Sequence, residues 1–159
     1  MIHHRILIGL IWVTSLVGLG AMFVGCSNDA HLSGLVPARG VVTHNGIPVD
    51  GASIIFIPTG TMSGEQRSAS ATSGSNGEFE MMTLHPRDGV FPGEYTVLIS
   101  KNVPDRVLTE EELSRSIGVA PPTFTNMLPS RYSNLDLTPL SITIEGRRGN
   151  TAITFELTD

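Results

Sequence analysis

Short runs of alternating apolar and polar residues, separated by turn-forming residues, make up most of this chain. Half-buried strands give this two-residue period, because successive side chains point to opposite faces of a sheet. The predicted strands are residues 40–44, 52–57, 68–72, 78–81, 94–100, 140–144 and 152–157. Strand 52–57 is apolar almost without interruption, so we expect it at the centre of a sheet, buried on both faces. About seven strands at this spacing predict an all-β sandwich.

Glycine and asparagine mark the tightest predicted turns. Asn45-Gly46 is the strongest short hairpin signal in the chain, because both positions accept positive φ angles. The predicted turn residues are Asn45, Gly46, Gly51, Asn76, Gly77 and Gly93. We interpret them as structural turns and not as a phosphate-binding loop, because no predicted helix begins directly after them.

Residues 102–135 interrupt the rhythm of strands. Thr109 is followed three residues later by Glu112, and this capping box predicts the start of one short helix. Glu111 and Arg115 are spaced to pair on one helix face. We therefore predict an insert that carries one short helix between the last strands. Insertions of this length are often either functional or disordered.

The N-terminal segment has a different pattern. Residues 1–5 are short and mildly positive, and residues 6–24 are almost continuously apolar, which is typical of a signal peptide. The apolar run is also just long enough to cross a bilayer as an uncleaved anchor. A plain, cleaved secretion signal is a third interpretation. All three predict that the domain lies outside the cytoplasm.

The apolar run ends in Phe23, Val24, Gly25 and Cys26, which resemble the bacterial lipobox. In lipoproteins this cysteine is acylated and becomes the first residue of the mature chain. Several acyl chains, at about 0.8 kcal/mol per buried methylene, attach a protein stably to a membrane. We therefore predict a membrane anchor at Cys26. Ser27 follows the cysteine, which favours the outer membrane in a cell that has one.

These patterns divide the chain into three parts. The predicted parts are a lipoprotein signal peptide at 1–25, a polar tether at 26–36 and a β domain at 37–159 with its insert at 102–135.

Charge and side-chain spacing argue against several functions. The net charge is -5 and Lys101 is the single lysine, so no basic stripe exists for nucleic acid. One cysteine excludes an intramolecular disulfide and any multi-cysteine metal site. His31, His44 and His85 lack the close spacing of zinc ligands. No G-x-S-x-G nucleophile motif occurs. We expect no cofactor, no metal ion and no enzyme activity.

Five short motifs follow one another in a familiar order. They are Gly40-Val41-Val42, Asn45-Gly46-x-Pro48, Gly51-Ala52-x-Ile54-x-Phe56, Asn76-Gly77-x-Phe79 and Pro92-Gly93-Glu94-Tyr95. Together they resemble the carboxypeptidase regulatory-like family, and especially short bacterial envelope lipoproteins with one such module. The resemblance covers residues 38–159 and implies a single seven-stranded Greek-key sandwich of the transthyretin or prealbumin type. In those lipoproteins a segment like 128–132 (Leu-Pro-Ser-Arg-Tyr) precedes the last hairpin.

The resemblance also implies a function. Such modules are non-catalytic and are treated as structural, adhesive or ligand-presenting units, so an envelope protein or a cell-wall polymer is the expected partner. The alternative is a small metal-dependent hydrolase or oxygenase on a transthyretin-like fold. Related intradiol dioxygenases bind ferric iron with two tyrosines and two histidines, and Tyr95 and Tyr132 are present here. Their closely spaced histidine pair is not, and we expect Tyr132 to fix the insert to the sandwich.

Overall fold

A computed structural model describes residues 32–59, 66–114, 118 and 120–159. The strands within them are β1 (Ala38–His44), β2 (Ile47–Pro48), β3 (Ser53–Pro58), β4 (Ala69–Thr72), β5 (Glu78–Glu80), β6 (Gly93–Ser100), β7 (Asn102–Pro104), β8 (Phe124–Asn126), β9 (Ser141–Ile144) and β10 (Asn150–Leu157). A short α-helix, α1 (Glu110–Ser114), and a 3-10 helix (Ser130–Ser133) complete the regular elements. The all-β architecture predicted from the alternating pattern is confirmed.

The predicted leader lies outside the described residues. This applies to the signal peptide at 1–25, with Phe23, Val24, Gly25 and Cys26, and also to His31. None of the helices in the described part of the chain is long and apolar enough to cross a membrane.

The described strands form two four-stranded sheets and a separate two-stranded ribbon. In the first sheet, β1 pairs in parallel with β10 along one edge. Along its other edge, β1 pairs antiparallel with β5 and then with β2. The second sheet has the order β4-β3-β6-β9 and is antiparallel throughout. The first and last strands of the domain are therefore neighbours.

Aromatic side chains join the two sheets at the core. Phe56 of β3 lies 5.8 Å from Tyr95 in its own sheet and 6.2 Å, edge to face, from Phe155 of β10 in the other, measured between ring centroids. Phe79 of β5 stacks on Phe155 at 5.8 Å. Aromatic pairs of this geometry contribute about 0.5–1.5 kcal/mol each beyond the burial of their surface. The two sheets thus share one apolar interior.

Strand β3 lies at the centre of its sheet, but only one of its faces is buried. Ile54 and Phe56 are fully buried, whereas Ile55 between them is 36% exposed. The prediction that this run is buried on both faces is wrong. Ile55 points to the outer face of the second sheet, which is only partly covered.

The chain changes sheets between β9 and β10. Strand β9 pairs with β6 and β10 pairs with β1, so the turn at 146–149 does not close the last hairpin that the family resemblance implies. Asn150 fixes this crossing, because its side chain donates to the Thr143 carbonyl at 3.0 Å and accepts the Glu145 N–H at 3.1 Å.

The insert contains the predicted helix and, in addition, a ribbon of β7 and β8. The capping box is formed: the Thr109 N–H donates to Glu112 Oε2 at 2.9 Å, and the Glu112 N–H to Thr109 Oγ1 at 3.3 Å. Arg115 lies outside the described residues, so its pairing with Glu111 stays a prediction. The ribbon was not predicted from the sequence, because its strands, Asn-Val-Pro and Phe-Thr-Asn, are short and show no alternation of apolar and polar residues.

The β domain begins earlier than the sequence indicates. Val36, assigned to the tether, is buried and exchanges two backbone hydrogen bonds with Val90, at 2.8 and 3.0 Å. Residues 32–159 form one compact unit. The last residues of the predicted tether therefore belong to the fold.

Candidate functional site

The predicted turn residues lie where strands begin or end, and most of them adopt the positive φ angles that tight turns require. Positive φ angles occur at Asn45 (51°), Gly46 (79°), Gly51 (67°), Gly77 (75°) and Gly93 (146°). Asn45 and Gly46 together form the tight connection between β1 and β2 that their dipeptide favours. Asn76 instead donates its backbone N–H to the Glu78 carboxylate at 2.9 Å.

His44 and Tyr132, far apart in sequence, both contact the end of the chain after β10. His44 Nε2 lies 3.1 Å from Asp159 Oδ1, and the Asn45 side chain donates to Asp159 Oδ2 at 2.8 Å. The Tyr132 hydroxyl donates to the Thr158 carbonyl at 3.2 Å and accepts the Thr158 N–H at 3.1 Å. Tyr132 thereby fixes the end of the insert to the sandwich, the role expected of it from the sequence.

The two tyrosines have different environments. The hydrogen bond from the Thr158 N–H lowers the pKa of Tyr132 below its usual value, and Arg131, whose guanidinium lies 4.7 Å from the ring centroid, adds to the effect. Burial raises the pKa of Tyr95, whose hydroxyl donates to the Phe91 carbonyl at 2.7 Å. Among the described residues, no three His, Cys, Asp or Glu side chains lie close enough to hold a metal ion.

A groove of about 700 Å³ runs across the outer face of the first sheet. Its charged residues come from three separate segments. Arg39 on β1 lies directly opposite Glu80 on β5, with Nη2 and Oε1 3.3 Å apart. Arg87 approaches the other oxygen of Glu80, with Nε and Oε2 3.5 Å apart. The sequence could not indicate this cluster, because it depends on the register between β1 and β5.

The loop that carries Arg87 is held by Asp88. The Asp88 carboxylate accepts three backbone N–H groups, from Thr83, Leu84 and His85, at 2.7, 2.9 and 2.8 Å. Partial burial acts to raise the pKa of Asp88, but these hydrogen bonds together bring it below its usual value. Asp88 is therefore charged at neutral pH and holds the loop in one shape. The exposed His85 contributes its backbone to this loop.

The ribbon of β7 and β8, with the helix between them, displays apolar side chains to solvent. Phe124 is 64% exposed and Val107 is 86% exposed. Leu113 on α1 is 64% exposed, and Val103 is 40% exposed. These four side chains all belong to the insert, and contiguous exposed apolar surface often marks an interaction site.

Polar contacts hold the ribbon in a defined conformation. The Asp105 carboxylate accepts the Thr123 N–H at 3.0 Å and the Thr123 hydroxyl at 2.8 Å. Arg106 donates to Glu112 at 2.7 Å and also to the Ala120 carbonyl. Asp105 and Thr123 join the segments next to β7 and β8, and Arg106 connects the segment after β7 to α1. The exposed apolar side chains are thus presented on a braced element.

Comparison with known proteins assigns this chain to no family. No family model matches this chain, and no curated protein matches it. Among solved structures, the chain is similar to part of a 9R-lipoxygenase from Cyanothece PCC8801, with 13% sequence identity and a TM-score of 0.38. The match covers 79% of this chain and 16% of the lipoxygenase chain. A similarity at this level carries no conclusion about activity.

Proposed function

We propose that this protein is a non-catalytic, lipid-anchored module that acts outside the cytoplasm, with its insert as the element that binds a partner protein of the cell envelope. One observation carries the proposal: the insert is held by polar contacts and exposes the apolar side chains of Phe124, Val107 and Leu113 to solvent. Aromatic side chains often dominate binding energy at protein interfaces. An element that is already in its bound conformation pays less entropy when it binds.

The sandwich supplies the scaffold for this element. The ordered motifs along the chain and the two packed sheets support the finer description as a carboxypeptidase regulatory-like, transthyretin-type module. The hydrogen bonds between Tyr132 and Thr158 attach the C-terminal part of the insert to the sandwich, because Thr158 directly follows β10. The leader pattern ending at Cys26 supports the anchor and the location outside the cytoplasm, with the outer membrane favoured if one exists.

Phe124→Ala tests the binding role of the insert. We expect the variant to bind its partner about thirtyfold more weakly or worse, because truncating a central aromatic residue at an interface costs about 2 kcal/mol or more. The immobilised full chain first enriches binding proteins from a detergent extract of its own cell envelope. The Kd of the enriched partner is then measured for each variant.

Leu84→Ala is the matched control for this experiment. Leu84 is also an exposed apolar residue, at 47%, but it lies outside the insert. Its variant should keep the affinity of the natural chain, and both variants should unfold at the natural temperature. If Phe124→Ala and the natural chain bind the partner with equal affinity, the ribbon is not part of the interface.

Cys26→Ala tests the anchor. We expect the variant to incorporate no radiolabelled palmitate and to accumulate with its leader attached, because only the cysteine thiol can form the thioether to diacylglycerol. Labelling, electrophoretic mobility and membrane fractionation measure the effect. Ser27→Ala keeps the thiol and should be labelled and processed normally. Unchanged processing and membrane retention of Cys26→Ala would refute the lipobox interpretation.

A further inference from the structure

The chain contains two Asn-Gly pairs, Asn45-Gly46 and Asn76-Gly77, which the structure places in different environments. An asparagine before a glycine loses its side-chain amide most readily, because glycine has no side chain to hinder attack by its own backbone nitrogen. Gly46 is exposed, and its N–H donates to the backbone of no residue that the structure describes. The attacking nitrogen of the first pair is therefore open to solvent.

The second pair is held in place by its glycine. Gly77 is buried, its N–H donates to the Gly74 carbonyl at 2.8 Å, and its carbonyl accepts the Val42 N–H at 2.9 Å. The Gly77 nitrogen cannot reach the Asn76 side chain until this peptide group leaves its partners. The fold thus protects one Asn-Gly pair and leaves the other accessible.

The side chain of Asn45 contacts the segment after β10. Its amide nitrogen donates to Asp159 Oδ2 at 2.8 Å, while His44 Nε2 lies 3.1 Å from Oδ1 of the same carboxylate. The Asp159 side chain is 80% exposed, and polar contacts of exposed groups hold a side chain only weakly. Asp159 therefore slows a reaction of the Asn45 amide without preventing it.

We propose that Asn45 is a site of spontaneous deamidation, and that the reaction releases the segment after β10 from the turn between β1 and β2. The Gly46 nitrogen loses its proton and attacks the side-chain carbonyl carbon of Asn45. The C–N bond of the side-chain amide breaks, ammonia leaves with a proton, and a cyclic imide remains. Water then opens the imide at either carbonyl, which gives aspartate or isoaspartate.

The product reverses the contact with Asp159. A carboxylate replaces the amide donor at position 45 and faces a second carboxylate, and two like charges at this distance repel each other. Isoaspartate also lengthens the backbone inside the two-residue turn. Thr158, the neighbour of Asp159, is the residue that Tyr132 binds, so the change reaches the attachment of the insert. The site does not depend on the partner proposed for the ribbon.

Incubation of the full chain in mildly alkaline buffer, followed by peptide mapping with mass spectrometry, tests the proposal. Trypsin cleaves after Arg39, Arg67 and Arg87, so the two pairs lie in different peptides. In the folded chain Asn45 should deamidate about tenfold faster than Asn76, because the hydrogen bonds of Gly77 must first open. In urea both pairs should react at similar rates. A sample digested without incubation corrects for deamidation during the digest.

Two variants test the contact with Asp159. Asp159→Ala should speed deamidation of Asn45 about two- to fivefold, the factor that an exposed polar contact represents. Asn45→Asp mimics the product and keeps a dipeptide that suits the turn, and it should speed amide hydrogen exchange at Thr158. Asn76→Asp makes the same change of charge elsewhere and should leave that exchange unchanged.

Specific results would overturn each part of the proposal. A rate at Asn45 equal to or below that at Asn76 in the folded chain would overturn the site. Unchanged exchange at Thr158 in Asn45→Asp would overturn the release of the segment after β10. An unchanged rate in Asp159→Ala would show that Asp159 does not restrain the amide.

Discussion

Phe56→Ala is expected to lower the free energy of unfolding by about 3–5 kcal/mol, the usual cost of removing a buried aromatic side chain. Phe56 is fully buried and contacts Tyr95 in its own sheet and Phe155 in the opposite one. Its removal would therefore leave a cavity where the two sheets meet. Equilibrium unfolding in urea, followed by circular dichroism, measures the loss.

Ile55→Ala is the control for Phe56→Ala, because the two residues are adjacent on β3 and face opposite sides. Ile55 is 36% exposed, so its truncation should cost about 1 kcal/mol or less. Comparable losses for the two variants would mean that β3 is buried on both faces, as the apolar run suggested.

Gly40→Ala is expected to destabilise the domain by about 2–3 kcal/mol, in the range of overpacked cores. A Cβ atom at this position would overlap the backbone carbonyl of Ile153 on β10. A backbone carbonyl in a paired strand cannot turn aside as a flexible side chain can, so β1 and β10 would have to separate locally. Urea unfolding measures the stability, and faster amide hydrogen exchange along β10 would locate the change.

Gly46→Ala separates crowding from backbone strain. Gly46 has a φ angle of 79°, but a methyl group on its α carbon would meet no other atom within 4 Å, so only the strained backbone contributes. We expect a loss of about 1 kcal/mol, with normal exchange along β10. A larger loss at Gly46 than at Gly40 would contradict the close approach of β1 and β10.

Local patterns predicted the local structure of this domain well. Alternation located the strands around Phe79 and Tyr95, and the Thr109–Glu112 spacing located the helix start. Alternation says nothing about which strands pair, so neither the parallel pairing of β1 with β10 nor the crossing after β9 could be derived from it. The groove was missed for the same reason, because Arg39 meets Glu80 only through strand register.

The local sequence gave a wrong prediction for the burial of Ile55 and no prediction for the ribbon of β7 and β8. Ile55 belongs to an apolar run, yet its burial depends on whether a further layer covers the sheet, which local sequence does not encode. The ribbon was missed because three-residue strands such as β8 are too short to show a period. The prediction that Cys26 is acylated rests on the sequence alone, and palmitate labelling tests it.

The parallel pairing of β1 with β10 has a mechanical consequence. The chain enters β1 at Ala38 and leaves β10 at Leu157, which are at opposite ends of one ladder. A pull on the chain before β1 against the chain after β10 therefore runs along the strands and loads the hydrogen bonds of the ladder in shear. A pull along this axis does not peel the strands apart, so the hydrogen bonds do not break one at a time. Tension between Ala38 and Leu157 therefore acts on the whole ladder at once.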